Sequence, residues 1–430
     1  MRFTAKLMVG LAAAMVGSVQ AGEPSQPIVL KAAYLFDSKS GKLTTGGAVV
    51  VEGDKIKSIG AQGAPANAKV IDLGDATLLP GFIDAHTHIT NEFPEDYYRG
   101  FHTDMYRFAT EQSHYSAVFA KRTLEAGFTT IRNLGAGEFI DVGLRNAINS
   151  DVTSGPTILT AVHSIGSTGG HCDQGPFPPD RIAPLGVMDG VCNGADECRA
   201  AVRYQLKWGA DVIKICSSGG VLSEADPVDV PQLTPDELRA IVSETHAWKR
   251  KVAAHSHGDL AARQAVEAGV DSIEHGSFLS DETLRLMKAK GTYLVPTRLA
   301  VYWVNKVAEK FPPAIAAKAR ATLTEHERVF RSAMKIGVPI AFGTDSGVSP
   351  HGMNAKEFAL LVEIGMPPAA ALISGTREAS KLLGIGAEVG TLEAGKFADI
   401  VAVRGNPLNN ISTTEKPVFV MKHGQVVVQP

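Results

Sequence analysis

Between about residues 81 and 385, short apolar runs typical of buried strands alternate with segments whose apolar residues recur at helical spacing. Most of the apolar runs are preceded by such a helical segment, for example 115–126 and 197–208. Residues 234–237, Thr-Pro-Asp-Glu, have the sequence of a capping box with proline at the first helical position, so we expect a helix to begin there. The runs number eight, as a (β/α)8 TIM barrel requires. The predicted strands are 81–85, 129–133, 157–161, 212–216, 252–255, 272–275, 293–296 and 339–343.

The two ends of the chain have a different pattern, in which short β-type runs are separated by Gly, Asp and Pro. A helix-rich middle between two β-rich ends predicts one small sheet domain assembled from both termini. We therefore expect an α/β chain with a TIM-barrel domain at 81–385 and a β-sandwich built from residues 22–80 and 386–430. The β-type runs are 28–35, 47–52, 56–59 and 68–73 near the N-terminus and 398–403, 417–421 and 425–428 near the C-terminus.

The first 21 residues have the sequence of a cleaved secretory signal peptide. Arg2 and Lys6 precede an apolar run at 7–16, and small residues follow it up to Ala21. The run is too short to span a membrane, and no later apolar stretch approaches the length that crossing a bilayer requires. We expect an exported protein, periplasmic or secreted, without a membrane span.

The composition and the distribution of charge indicate which kinds of molecule the protein is expected to bind. The chain of 430 residues is 44% hydrophobic and 20% charged, which is ordinary for a globular protein, and its formal net charge is −3. Lys and Arg form no run or stripe, so nucleic acid is not an expected partner.

The four cysteines fit an oxidising compartment, in which Cys172 could pair with Cys192, or Cys192 with Cys198. Cys216 ends the fourth predicted strand and is expected to be a small buried side chain. No Cys-x-x-Cys motif occurs, so a metal site made of thiolates is not supported.

Long loops follow several of the predicted strands. They cover residues 89–114, 163–193 and 217–233 and are rich in Gly, Pro, Asp and Ser. Because a barrel keeps its active site at the carboxyl ends of its strands, we expect these loops to form the walls of a substrate pocket.

Side chains that can bind metals stand at the carboxyl ends of the predicted strands. His86 and His88 end the first strand, and because positions i and i+2 share a face, both imidazoles can reach one ion. Lys214 lies between two isoleucines inside an apolar run, where an unpaired ammonium group is costly to bury. Each residue alone has a structural explanation, such as an ion pair between Lys214 and Asp345, but together they predict a binuclear metal centre. The six candidate ligands are His86, His88, Lys214, His255, His275 and Asp345.

Lys214 needs a modification to serve in such a centre, because a neutral lysine cannot bridge two cations well. A desolvated lysine with a lowered pKa can react with carbon dioxide, and the resulting carbamate is an anionic bidentate ligand. Lys214 in this N6-carboxylysine form can be shared by two divalent ions about 3.5–4 Å apart.

At these residues the chain resembles the amidohydrolase superfamily, over nearly its whole length after the signal peptide. The motifs that carry the resemblance are PGFIDAHTH, IKI, AHSHG, EHG and GTDSG, and as a set they match the binuclear type with a carboxylated lysine. The turn at residues 217–221 and the spacings of the motifs are most similar to one branch. That branch contains Xaa-Pro and Xaa-Arg dipeptidases, N-acyl-amino-acid carboxypeptidases and ochratoxin amidohydrolases.

The resemblance implies how the ligands divide between two divalent ions. His86, His88 and Asp345 hold the first ion, the other two histidines hold the second, and carboxylated Lys214 bridges both. Zinc is the expected metal because it suits imidazole and carboxylate ligands, with manganese or cobalt as alternatives.

The implied reaction is hydrolysis of an amide bond in a dipeptide or N-acyl amino acid by a hydroxide that bridges the two ions. Asp345 takes the proton of the water and returns it to the leaving amine. His163 supports the carbonyl oxygen or the terminal carboxylate of the substrate, although His163 and His257 could equally be packed structural residues. The substrate contacts expected for this branch are His163, His257, Gly219, Gly220 and Val221.

A lactonase or a cyclic-amide hydrolase is the main alternative, because attack on a carbonyl group serves all of these reactions. A non-catalytic assembly scaffold is a hypothesis of another class, and it is disfavoured because every ligand position is filled. The resemblance also suggests a homo-oligomer, such as an octamer.

Arg132, at the end of the second predicted strand, could pair within the barrel or meet a substrate carboxylate. The remaining histidines are expected to be structural or exposed. His171 and His351 are the exceptions, because they lie in the predicted pocket loops.

Overall fold

The computed structural model describes residues 26–60, 64–173, 175, 178–223 and 226–430. The predicted signal peptide at 1–21 lies outside the described residues. Among the described helices, none is long and apolar enough to cross a membrane.

Strands and helices alternate through most of the described chain. The strands are β1 (Ile28–Asp37), β2 (Lys42–Glu52), β3 (Lys55–Ile59), β4 (Lys69–Asp72), β5 (Ala76–Pro80), β6 (Phe82–Thr87), β7 (Phe128–Asn133), β8 (Thr157–Thr160), β9 (Val212–Cys216), β10 (Lys251–Ser256), β11 (Ser272–His275), β12 (Tyr293–Val295), β13 (Ile400–Arg404), β14 (Phe419–Lys422) and β15 (Gln425–Val428). The α-helices are α1 (Tyr97–Tyr106), α2 (Ala109–Glu125), α3 (Ile140–Asn149), α4 (Ala195–Lys207), α5 (Pro235–Ala247), α6 (Asp259–Ala268), α7 (Asp281–Lys290), α8 (Arg298–Lys306), α9 (Pro313–Ile336), α10 (Lys356–Glu363), α11 (Pro368–Ile373) and α12 (Ala379–Leu383).

Strands from both ends of the chain form one eight-stranded sheet. Its order is β15-β14-β13-β5-β1-β2-β3, and β4 pairs with β1. β13, from the C-terminal end, lies antiparallel to β5, from Ile400 opposite Pro80 to Arg404 opposite Ala76. The two β-rich ends of the sequence therefore share one sheet. Its buried core includes Leu30, Val49, Leu78, Ile400 and Phe419.

The strands of the middle region are parallel and form two sheets, β6-β7-β8 and β9-β10-β11-β12. Helices lie between successive strands, so the predicted α/β class is confirmed. Isolated bridges connect further pairs of segments. Ile165, in the loop after β8, pairs with Ile215 of β9. In the segment after α9, Ile340 pairs with Leu294 of β12 and Ser346 pairs with Thr87 of β6.

Seven of the eight predicted barrel strands are regular strands, and the predicted strand at 339–343 is the exception. Ile340 forms only a single bridge, with Leu294 of β12. On the other side, the carbonyl of Phe342 accepts from Ala85 N–H of β6 at 2.9 Å, but the N–H of Phe342 donates to the carbonyl of Ser374 at 3.1 Å. This donor is therefore not available for a regular ladder with β6.

The strands that carry the predicted ligands are buried on both faces. Every residue of β6, β9 and β11 is buried. Parallel strands covered by helices have continuous apolar sequences for this reason, and a polar side chain among them needs a partner. Their carboxyl ends meet at one edge, which brings the predicted ligands together.

Two disulfides occur, Cys192–Cys198 and Cys172–Cys216. The first is one of the two predicted pairings. The pairing of Cys172 with Cys192 is wrong. Cys216 is buried, as expected, but it forms a disulfide with Cys172. The reason is that the loop after β8 folds over the end of β9, which places Cys172 with its Cα 5.7 Å from that of Cys216.

Candidate metal centre

The carboxyl ends of the parallel strands surround one cavity of about 440 Å³. β6 contributes His86 and leads into His88, while β9 contributes Lys214. The other donors come from the ends of β10 and β11 and from the bend after the bridged eighth segment. All six predicted ligands line this cavity, namely His86, His88, Lys214, His255, His275 and Asp345.

Each histidine around the cavity has a hydrogen-bond partner at one ring nitrogen, which leaves the other nitrogen for a metal. His86 Nδ1 lies 2.8 Å from a carboxylate oxygen of Glu274, so Nδ1 carries the proton and Nε2 is the acceptor. His255 is held at the opposite nitrogen, since its Nε2 lies 3.1 Å from the carbonyl oxygen of Gly219. The other pairs are His275 Nδ1 with Thr297 Oγ1 at 2.7 Å, His257 Nδ1 with Ser277 Oγ at 2.8 Å, and His88 Nδ1 with Gly135 O at 3.4 Å.

Four of these histidines remain neutral at physiological pH. Burial lowers the pKa of His86, His255 and His275 well below the usual value and that of His257 to about 3, and the nearby Lys214 lowers each of them further. The neutral imidazole is the form that binds a metal, so the electrostatics of the cavity favour metal binding.

The donor atoms form two groups, and within each group all of them lie within 4.8 Å of one another. One group is His86, His275 and Asp345, and the other is His255, His257 and His275. The sequence prediction divides the ligands differently, since it assigns His275 to one ion and gives His257 a substrate contact. The spacing of His255 and His257 matches that of His86 and His88, and this signal identifies His257 as a further possible donor. Such imidazole and carboxylate donors fit zinc and similar divalent ions.

Asp345 lies between the two histidines of the first strand end. Its Oδ1 is 3.4 Å from His86 Nε2 and 3.3 Å from His88 Nε2. Burial alone would raise the pKa of Asp345, but its contacts with His86, His88 and Lys214 outweigh burial and lower it. Asp345 and His275 also have left-handed backbone conformations, with φ of 59° and 70°. Such conformations are rare for residues other than glycine and are concentrated at functional sites.

Lys214 is 3% exposed, and its Nζ lies 3.4 Å from His86 Nε2. Burial lowers its pKa to about 8, against the opposing effect of the Glu274 and Asp345 carboxylates. The amine therefore has a substantial neutral fraction near physiological pH. That is the form that reacts with carbon dioxide.

The predicted substrate contacts are only partly on the cavity surface. His163 and Val221 line the cavity, and His163 Nδ1 donates to the carbonyl of Met188 at 3.1 Å. Gly219 and Gly220 are not among the described residues that line it. Gly219 accepts the hydrogen bond from His255, and a Cβ on Gly220 would lie 2.1 Å from the ring of His171.

His171 lies in the cavity and His351 does not. The ring of His171 stacks on that of His255 with centroids 4.2 Å apart, and its Nδ1 lies 3.1 Å from Ser223 Oγ. Burial lowers the pKa of His171 to about 4. His351 is also buried, but its Nε2 bonds the carbonyl of Asn91 at 2.7 Å.

Two roles were left open for Arg132, and in the structure its side chain pairs in the interior of the parallel sheets and does not face the cavity. Arg132 is 1% exposed and bonds Glu274 at 2.9 Å. Glu274 is the functional neighbour that the sequence interpretation missed. The Glu-His-Gly motif contained it, but only its histidine was given a role.

Apolar side chains form part of the cavity surface, here called the apolar wall, and come from the loop after β9, from α8 and α9, and from the loop after Asp345. It can receive an apolar group of a substrate whose polar end faces the metal-binding side chains. Its side chains are Val221, Leu222, Ala300, Val301, Val304, Ala319 and Val348.

Comparison with known proteins identifies the family of this chain. Residues 77–427 match the Amidohydrolase family. The chain is 33% identical to ochratoxinase from Aspergillus niger over 374 residues, which cover 82% of this chain and 76% of that protein. The solved structure of a Xaa-Pro dipeptidase with bound methionine has 38% identity and a TM-score of 0.89, covering 93% of this chain and 99% of that one. A prolidase complexed with N-methylphosphonate-L-proline has 29% identity and a TM-score of 0.85, covering 94% of this chain and 100% of that one. These matches confirm the resemblance carried by the strand-end motifs, and the chain belongs to the amidohydrolase family of hydrolytic enzymes.

Proposed function

We propose that this protein hydrolyses the amide bond of dipeptides or N-acyl amino acids with the help of two divalent metal ions, zinc being the expected metal. The observation that carries the proposal is that two groups of side chains able to bind a metal ion line a single cavity and share His275. Lys214 lies beside them as a buried amine with a lowered pKa.

In this proposal His86, His88 and Asp345 would hold one ion, and His255 and His275 would hold the other. The carbamate of Lys214 would be a ligand of both. It forms when the neutral amine attacks carbon dioxide and loses a proton, so N6-carboxylysine carries one negative charge toward the cations. When bound, the two ions supply a Lewis acid for the scissile carbonyl group and lower the pKa of the attacking water.

Asp345 is the proposed carrier of the proton. Its pKa is lowered, so it is ionised at neutral pH and can accept a proton from the attacking water. It then donates this proton to the nitrogen of the leaving amine, which completes cleavage of the C–N bond. His163, at the cavity surface, holds the carbonyl oxygen or the terminal carboxylate of the substrate, and His257 lines the pocket.

The arrangement requires that side chains from several strand ends meet, and we infer that the two parallel sheets close into a (β/α)8 barrel. The three isolated bridges support this inference, because each one connects neighbouring segments that lack a regular ladder. We also propose that the protein is exported, which the two disulfides support.

The substrate class is supported by the relatives. Ochratoxinase, a Xaa-Pro dipeptidase with bound methionine and a prolidase with a phosphonate analogue containing proline are all similar to this chain. The apolar wall of the cavity, with Val221, Val301 and Val304 among its side chains, suits an apolar amino-acid side chain or an aromatic acyl group.

The test is a substrate panel assayed on zinc-loaded protein. The panel contains dipeptides with and without C-terminal proline, N-acyl amino acids, an ochratoxin-type amide and lactones. We expect the amides to be cleaved, the rate to fall after exhaustive chelation, and zinc to restore it. Protein that binds no divalent ion, or that keeps its rate after chelation, would refute the metal mechanism. Turnover of lactones alone would refute the proposed substrate class.

A further inference from the structure

An ion pair lies buried in the interior of the parallel sheets, in contact with the candidate ligand His86. The side chains of Arg132 and Glu274 are 1% and 0% exposed. Arg132 Nη2 bonds Glu274 Oε1 at 2.9 Å, and Ser272 Oγ donates to the same oxygen. The other carboxylate oxygen, Oε2, accepts from His86 Nδ1 at 2.8 Å. Both oxygens of Glu274 are therefore in use, one toward the arginine and one toward a predicted metal ligand.

Packing alone does not explain this pair. Two charges removed from water lose their hydration, and apolar residues of similar volume often serve stability as well or better. An apolar side chain can occupy this layer, as Val295 does opposite Glu274 on β12, where it is fully buried. A role in orienting His86 accounts for the presence of two charges here.

We propose that Arg132 and Glu274 are positioning residues for the metal ion that His86 holds, an inference that rests on the proposed function. Glu274 accepts the proton of Nδ1, which selects the tautomer of His86 with its lone pair on Nε2, on the side of Asp345 and Lys214. Arg132 anchors the carboxylate that does this.

Arg132 also acts on the backbone of the same ligand. Its Nε donates to the carbonyl of Ala85, the residue before His86, at 2.5 Å. One guanidinium group thus holds both the peptide group before His86 and, through Glu274, the imidazole ring. The rings of His255 and His275 are held by other groups than this pair. His255 Nε2 bonds Gly219 O, and His275 Nδ1 bonds Thr297 Oγ1. The proposal therefore predicts an effect on one ion and not on the other.

The test is the variant Glu274→Gln, which keeps the shape of the side chain. Glutamine has one oxygen that can accept hydrogen bonds, whereas both carboxylate oxygens of Glu274 accept them. We expect the affinity for one of the two zinc ions to fall by about 10- to 100-fold, with the other ion held as in the wild type. Metal content after dialysis against graded chelator measures both affinities without relying on turnover. The matched control is Glu237→Gln, because Glu237 is also buried but bonds Thr234 and Gly194. We expect this control to retain both ions.

A second variant covers the case in which Glu274→Gln does not fold, since it leaves Arg132 buried without its partner. The double variant R132M/E274L removes both charges and leaves no acceptor for His86 Nδ1. We expect it to fold, as circular dichroism would show, and to lose one ion selectively.

The possible outcomes separate this inference from the proposed function. Wild-type affinity for both ions in the variant that folds would overturn the positioning role alone, and so would an equal weakening of both ions. Wild-type protein that binds no divalent ion would refute the proposed function, and this inference with it.

Discussion

Removal of the disulfide between Cys172 and Cys216 should destabilise the protein more than removal of the disulfide between Cys192 and Cys198. The first pair is separated by 44 positions in the sequence and the second by 6. A cross-link lowers the entropy of the unfolded chain by an amount that grows with the logarithm of the loop length. This relation assigns about 4 kcal/mol to the first bridge and about 2 kcal/mol to the second at 25 °C. The free energy of unfolding should therefore fall by about 2 kcal/mol more in C172S/C216S than in C192S/C198S.

The two variants should also differ in activity. Cys172 and Cys216 line the cavity, and Cys172 directly follows His171, whose ring stacks on His255. Without the bridge this loop loses its covalent attachment to the end of β9, two residues beyond Lys214. Because small displacements of positioned groups are costly in catalysis, we expect kcat/KM to fall by at least about tenfold in C172S/C216S. We expect C192S/C198S to keep the wild-type value.

The assay is equilibrium unfolding in urea, followed by circular dichroism, with kinetics measured on the same preparations. Peptide mapping without reductant establishes the pairing in the wild type. The reasoning is refuted if the two variants lose equal stability, if their order is reversed, or if Cys172 is not linked to Cys216 in the map.

Four other predictions follow from the geometry of the site. Lys214→Ala should retain neither ion after dialysis and should be inactive, and full activity with normal metal content would contradict the bridging role. Asp345→Asn should lose about 10²- to 10⁴-fold in kcat if it still binds metal, and an unchanged kcat would place proton transfer elsewhere. Because burial lowers the pKa of Lys214 to about 8, its neutral fraction grows as the pH rises through that value. Reconstitution of metal-free protein with zinc at a fixed concentration of dissolved carbon dioxide, followed by recovered activity, should thus be faster at about pH 9 than at about pH 7, and a pH-independent rate would argue against carboxylation. Val304→Asn, in the apolar wall, should raise KM for substrates with apolar side chains about tenfold while metal content stays normal, and equal kinetics would remove this wall from the binding site.

The candidate ligands could be identified from the sequence, and their meeting around one cavity could be predicted, because the features that locate them are local. A strand buried on both faces has a continuous apolar run, as β6 and β9 do, and the donors stand within or just after such runs. His86 and His88 are two residues apart, so the period of the strand alone places them on one face. The parallel arrangement then brings separate strand ends to one edge without any further information.

Contacts between distant segments could not be predicted in this way. The pairing of Cys172 with Cys216 depends on how a long loop folds over β9, and nothing in the residues around either cysteine encodes that path. The segment at 339–343 has the composition of a strand. One of its backbone donors, the N–H of Phe342, nevertheless bonds Ser374, which lies in a helical segment and not in a neighbouring strand, and this interrupts the ladder.

The hydrogen-bond partners of the ligands show why the metal centre divides into a predictable and an unpredictable part. A metal accepts few side-chain types, so its ligands leave a pattern of histidines and carboxylates in the sequence. The outer nitrogen of a histidine is less selective, because a backbone carbonyl, a hydroxyl group or a carboxylate can each accept its proton. Here Gly219, Thr297 and Glu274 fill this role for three different histidines. Of the three, only Glu274 brings a charge into the interior and requires Arg132 as its partner. Replacement of Glu274 therefore tests the orientation of His86 while all six candidate ligands remain in the sequence.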